Sequence, residues 1–478
     1  MTYRHGVFVN EVPAAVPPPV RLSAMPVVFG TAPVNLSKRS TAPINEPVLC
    51  NSYGEAIAAF GFSNDFSSYT LSEFIYSQFV LYGLGPVVLI NVLDPATHKS
   101  SVAAAPHAVS SGSASIKVQG ILLPSVAVKS ADGETTYVLN TDYELAYDKD
   151  GNLVINIVSG GAAAAATSLS VAYDKLNPAA VDADDIIGGI VNDQPTGMEL
   201  INQVFPRFQQ VPGLILAPGF SHNPTVAAVM TAKAESINGL FQAMAITDLD
   251  PSEKYTDVAA WKEDNGYESS LQINTYPLLT YKGRTYRTST HLAGAIGRTD
   301  IANGNIPFVS PSNQKFVADG AVLADGSPLF LGPDTAQVLN GGGIVTALNF
   351  IGGWKAWGNR TGIYPKNTVP KDSFIPVRRM MNWINNQIIL SYWERVDGPI
   401  TRRLTEAVVD SLNIWLNGLT AQGVILGGRV AFLAEENSEE SLADGKVRFH
   451  VYQTPPSPAE EIEFITEYDA QYMSAIFG

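Results

Sequence analysis

The sequence predicts a multi-domain α/β chain, with a small β domain inserted into the α/β core and an α+β domain at the C-terminal end. Three observations carry this reading. Short apolar runs alternate with helically spaced segments over 23–97 and again over 181–360. Residues 98–180 switch to small and β-favouring side chains separated by turn signals. From 361 to 478, two helical patterns are followed by alternating strand patterns. With 478 residues, 46% of them hydrophobic, the chain is long enough for more than one core.

The first residues alternate: Val7 and Val9 face one way, Gly6 and Phe8 the other, as in a short strand. Pro13, Pro17, Pro18 and Pro19 come next and cannot continue a ladder, because proline lacks the N–H. Residues 1–22 therefore read as an arm, a strand on a semi-rigid proline stalk. Such a strand either folds back onto its own domain or is added to another chain's sheet.

In the core, the runs 27–29, 48–50, 87–92, 214–217 and 243–246 read as buried strands. Leu71, Phe74, Ile75 and Phe79 have helical spacing, and Gly83 and Gly85 end that segment. Further helices are expected over 224–238 and 288–298, while 304–372, rich in Gly, Pro, Asn and Ser, reads as loop. In the insert, strands at 137–139 and 153–158 flank turns at Gly133 and Gly151.

After 361, Ser373 is placed as the cap of a helix with Pro376 in its first turn. A second helix, 399–418, carries the stripe Leu404, Val408, Leu412, Trp415 and Leu419. Two strands come after it. In one, Val447, Phe449 and Val451 alternate with polar residues; in the other, Ile462 and Phe464 alternate with Glu461 and Glu463. Pro455, Pro456 and Pro458 lie between them as a second stalk, so both ends combine a strand with a proline spacer.

Signals for chemistry are sparse. The six histidines lack metal-ligand spacing, and neither a Gly-x-Ser-x-Gly elbow nor a phosphate loop is present. Ser221 and His222 are neighbours in sequence, which does not supply triad geometry. The single cysteine, Cys50, sits in an apolar strand and excludes an internal disulfide framework. No catalytic residue, cofactor or metal is expected.

A net charge of −15 argues against nucleic-acid binding. No apolar run is long enough to span a membrane, and the N-terminal residues lack the apolar stretch of a signal peptide. Assembly in the cytoplasm, without membrane insertion, is the expectation. Charged residues are 16% of the chain against ~25% in a typical domain, as suits a surface largely covered by neighbours. Their distribution is uneven: residues 350–403 carry a net +6 and residues 430–478 a net −8. Arg402 and Arg403 fall in the first turn of a helix, where the dipole disfavours cations by ~0.3–1 kcal/mol. Either Glu406 or an acidic partner surface offsets that cost.

Long segments resemble the phage contractile tail sheath family. They include His5-Gly6-Val7 with Glu11, LAPGFSHNPTVAAVMTAKAESINGLFQAMAITDLD (216–250) and HLAGAIGRTDIANGNIPFVSPSN (291–313). LNGGGIVTALNFIGGWKAWGNRT (339–361), DSFIPVRRM (372–380), VVDSLNIWLNGL (408–419) and GKVRFHVYQTPPSPAEEIEF (445–464) extend the likeness over nearly the whole chain. The resemblance implies a subtilisin-like core without catalytic residues and an outward-facing inserted domain. It further implies hexameric rings stacked helically around an inner tail tube, with the baseplate and tail terminator as further partners. The expected setting is a virion tail assembled in the host bacterial cytoplasm, where contraction drives the tube through the host envelope for genome ejection. A contractile bacteriocin or injection-system sheath is the alternative, and a subtilase-like hydrolase a remote one.

On this resemblance, Gly6, Val7, Phe8 and Val9, with Ile462 and Phe464, are expected to donate strands to other subunits. Val447, Phe449 and Val451 would accept them, and Arg378, Arg379, Arg402 and Arg403 would face the tube.

Overall fold

The computed structural model describes residues 22–477. Strands Pro26–Gly30 (β1) and Val48–Cys50 (β2), helix Thr70–Ile75 (α1) and strand Val87–Asn91 (β3) open the core. The insert consists of Lys99–Ala108 (β4), Ser113–Ile116 (β5), Ala127–Ser130 (β6), Tyr143–Tyr147 (β7), Leu153–Ile157 (β8) and Ser168–Leu176 (β9). The core resumes with Leu214–Leu216 (β10), Met244–Asp248 (β11), Gln272–Thr275 (β12), helix Thr288–Ala302 (α2), and strands Ile344–Asn349 (β13) and Trp354–Trp357 (β14). Helices Ile375–Tyr392 (α3) and Arg402–Ala421 (α4) and strands Gly427–Ala431 (β15) and His450–Thr454 (β16) form a C-terminal layer.

Eight of these strands make one mixed sheet, ordered β14-β13-β12-β11-β10-β1-β3-β2. All neighbouring pairs are parallel except the outermost, β2 with β3 and β13 with β14. Strands covered on both faces need continuous apolar runs, and β1, β3, β10 and β11 are buried throughout. Because β1 lies between β3 and β10, the insert leaves and re-enters the sheet on either side of one strand and adds none of its own. It folds instead as two three-stranded sheets around Ile116, Val128, Leu153, Ile155, Leu169 and Val171.

A buried ion pair ties together the segments on either side of the insert. Glu73 in α1 is fully buried and accepts from the Arg287 backbone N–H (2.7 Å) and guanidinium (2.9 Å). Burial pushes its carboxyl pKa up, and the Arg287 charge opposes the shift. After α1, a π-helical turn, Tyr76–Tyr82, ends at Gly83 in the left-handed region. His291 of α2 packs beneath it, with Nδ1 2.9 Å from the Tyr82 hydroxyl. Complete burial pulls its pKa down to about 3, so it stays neutral in the core. The same logic pushes the buried Cys50 thiol up to about 12.

Several expectations are corrected. Residues 137–139 are not a strand: Val138 and Leu139 are exposed at a sheet edge, and the strand lies further on, at β7. The 304–372 region holds β13 and β14 of the main sheet and helix Pro333–Gly341. Its glycines make the sharp entry to β13, with Gly343 at φ +71°. Ser373 caps nothing. It ends a short helical turn, Pro370–Ser373, and its hydroxyl accepts from Arg360 (3.1 Å), while Phe374 precedes α3. Val447 and Phe449 precede the observed strand; only Val451 lies in it.

Gly294 in α2 marks the closest helix contact, since a Cβ there would lie 2.4–2.7 Å from the Tyr82 ring. Gly→Ala within an exposed helix stabilises by ~1 kcal/mol. At Gly294 the sign should reverse, with Gly294→Ala losing ~1–3 kcal/mol through overpacking. Denaturant unfolding of the two proteins measures this directly.

Candidate functional site

The C-terminal layer is fastened to the core through a buried node. Arg379 on α3 grips Asp300 on α2 with both terminal nitrogens, at 3.0 and 2.5 Å. Their side chains are only 3% and 2% exposed. Ser23, just after the start of the described chain, donates to the same carboxylate at 2.5 Å. The segment entering β1, the core helix and the C-terminal layer thus meet at one charge pair. Asn386 on α3 adds a second fastening: its amide accepts from the Gln242 N–H (3.0 Å) and donates to the Gln242 carbonyl (2.8 Å).

This corrects the assignment of Arg379 to a tube-facing surface. At i+4 steps along α3, Arg379 shares the face of Trp383 and Gln387, which packs inward. Arg378 is half-buried, bonded to Asn382 (2.9 Å) and 3.9 Å from Asp372. Arg402 is 88% exposed and pairs with Glu406 at 2.6 Å, so the local carboxylate offsets the dipole cost. Arg403 is exposed as well.

β15 and β16 pair antiparallel, Val430 opposite Val451. Their inner face joins Met380, Trp383, Val408, Leu412 and Leu416 in a second apolar cluster. Helix α4 lies along β15, and Asn413 brackets Val430: its amide donates to the carbonyl (3.1 Å) and accepts from the N–H (2.9 Å). The contact is close, since a Cβ on Gly428 would lie 3.2–3.3 Å from Leu416.

From Thr454 the chain runs through its prolines to Glu460, which Arg360 grips at 3.1 and 2.5 Å. Arg360 itself stacks on Phe374 (3.8 Å) and Tyr364 (4.5 Å). Beyond this clamp, Ile462, Phe464 and Ile465 are 70%, 85% and 89% exposed. They pair with no strand among the described residues. Gly6, Val7, Phe8 and Val9 lie outside the described residues.

Nothing here resembles a reaction centre. Ser221 is buried and bonds to Asp248 at 3.3 Å, whereas His222 is exposed and makes no bond to it. Among the described residues, no group of three His, Cys, Asp or Glu side chains could hold a metal. No helix there is long and apolar enough to cross a membrane.

A protein named as a tail sheath protein in Burkholderia phage BcepMu is 28% identical over 494 residues, spanning 100% of this chain and 99% of its own. The chain is similar along its whole length to a phage tail sheath protein. That likeness is to structural proteins of phage tails, not to an enzyme. A putative prophage major tail sheath protein of Pseudomonas aeruginosa is 26% identical over 66% of this chain and 80% of its own length. No family model matches. The mixed α/β, multi-sheet fold is shared with the contracted PVC sheath complex of an extracellular contractile injection system. There the TM-score is 0.58 at 14% identity, over 98% of this chain and 99% of the other. The contracted helical sheath of the anti-feeding prophage gives 0.55 at 15%, over 98% and 100%.

Sequence reasoning passed over Asp300, Ser23, Asn413 and the Arg360–Glu460 clamp. The one available signal was a polar residue inside an apolar helical stripe, as at Asn413 beside Leu412. Removing one partner of a buried pair strands the other charge and costs ~3–5 kcal/mol. Arg379→Ala should lose that much in denaturant unfolding. Arg403→Ala, at an exposed position, should stay within ~0.5 kcal/mol of the parent.

Proposed function

We propose that this chain polymerises as stacked hexameric rings around an inner tail tube, between baseplate and terminator, and contracts to drive the tube through the host envelope. Neighbouring copies exchange strands: Gly6, Val7, Phe8 and Val9, and the tail strand with Ile462 and Phe464, are added to the hairpin of β15 and β16. Val447 and Phe449 lead into that hairpin and Val451 lies within it. The core serves as a subtilisin-like scaffold without a nucleophile, and the insert faces outward.

One observation carries this reading. The subunit holds its acidic, apolar-exposed tail away from its own hairpin at the Arg360–Glu460 clamp, while the hairpin stays two-stranded. A donated strand makes ~4–6 main-chain hydrogen bonds, each worth ~0.5–1.5 kcal/mol net. Repetition over a lattice makes such links strong enough to persist while the bodies rotate. The extended lattice is then a kinetically trapped state that relaxes on triggering.

Deleting residues 461–478 should leave a monomer that melts within a few degrees of the parent but forms no tubes in negative stain. Tubes of parental length from that truncation would contradict strand exchange. Arg402 and Arg403 are proposed to face the tube. Reversing both to Glu favours the helix dipole locally, so the subunit stays folded. Assembly around the tube should fall by more than sheath self-polymerisation; equal effects would remove the tube-facing role.

A further inference from the structure

We propose that the cleft beneath the C-terminal proline stalk is a binding site for a second proline-rich segment, and that its occupant is residues 12–19 of the same chain. This goes beyond strand exchange, because it assigns a seat within one subunit.

The cleft lies between the core and residues 456–460 and holds about 680 Å³ of open space. One wall is the chain's own Pro456 and Pro458, fastened at Glu460 by Arg360. The cleft thus already accommodates proline. The rings of Phe308, Trp357 and Tyr364 line it as well.

A polyproline segment makes no internal hydrogen bonds, and its prolines bring carbonyls without N–H groups. Its receptor therefore needs flat rings and hydrogen-bond donors. Both are present. Among the described residues, the side chains of Gln314, Gln337 and Trp357 line the cleft and make no hydrogen bond. Arg360 and Glu460 are the charged residues of the lining, and each neutralises the other. What remains is a neutral, ring-bearing, donor-rich surface. Residues 12–19, Val-Pro-Ala-Ala-Val-Pro-Pro-Pro, carry no charge, whereas residues 461–469 hold Glu461, Glu463, Glu467 and Asp469. The lining suits the first and not the second.

Position points to the same segment. Leu22, where the described chain begins, shares a small pocket with Pro307 and Trp383. Phe308, the next residue after Pro307, lines the cleft. Trp383 is 7% exposed, and its indole N–H has no partner among the described residues. That donor suits a carbonyl of the chain entering at Leu22. At ~3.1 Å per residue, the three steps from Leu22 back to Pro19 cover ~9 Å, enough to pass from the small pocket to the cleft. Both proline stalks then share one seat, from which the two arms leave the subunit.

Gln337 is exposed at the rim of the cleft, so Gln337→p-benzoylphenylalanine leaves the fold intact. Irradiating the unassembled full-length variant should attach the new side chain to residues 12–19 of its own chain. Peptide mapping should find the adduct there, and the product should run as a monomer on a denaturing gel. Each proline restricts the free segment, so replacing Pro17, Pro18 and Pro19 together by Gly should lower the yield about tenfold without changing the melting temperature. Adducts found only outside 12–19, or adducts to 12–19 that run as dimers, would overturn the assignment, and so would a yield that the three glycines leave unmoved. The adduct is read before any copies assemble, so its failure is distinct from a failure of strand exchange, which the 461–478 truncation tests.

Discussion

The Arg379–Asp300 pair, with the Ser23 hydroxyl on the same carboxylate, is the contact on which the architecture depends. A carboxylate and a guanidinium removed from water are tolerated only while each keeps the other, so α3 cannot lift from α2 without leaving both charges stranded. The segment that enters β1 is fixed at the same point. The chain's two ends therefore depart from one rigid body, and movement of that body displaces both roots together.

Around the node, asparagine amides repeatedly stand in for backbone. Asn386 brackets Gln242, Asn413 brackets Val430, and Asn437 accepts from the Arg448 N–H while donating to its carbonyl. Each pairs a backbone N–H and carbonyl that would otherwise be left unsatisfied, and at Val430 these lie on a strand edge. Among the described residues the outer flank of β16 has no such substitute, and an unpaired edge is a template for another chain.

Much of the fold could be read from local pattern. β1, β3, β10 and β11 are apolar runs with both faces covered, and the stripe Leu404, Val408, Leu412, Leu419 lies inward on α4. The features that escaped are those that local pattern does not encode. β13 was hidden because the glycines that turn the chain into it also signal loop. Residues 137–139 have strand composition but lack a covering neighbour. Arg379 reads as a surface cation because a salt bridge 79 residues away in sequence leaves no local trace. The segment around Ile462 and Phe464 has the right alternation, yet a strand needs a partner, and among the described residues it pairs with none.

The decisive question is whether the node survives the machine's motion. Maps of the sheath in its extended and contracted states, at side-chain resolution, would measure the Arg379–Asp300 separation in each. The expected result is hydrogen-bonding distance in both, with α2 and α3 moving as one body. A map in which α3 has parted from α2 in either state would contradict a rigid body at the root of both arms.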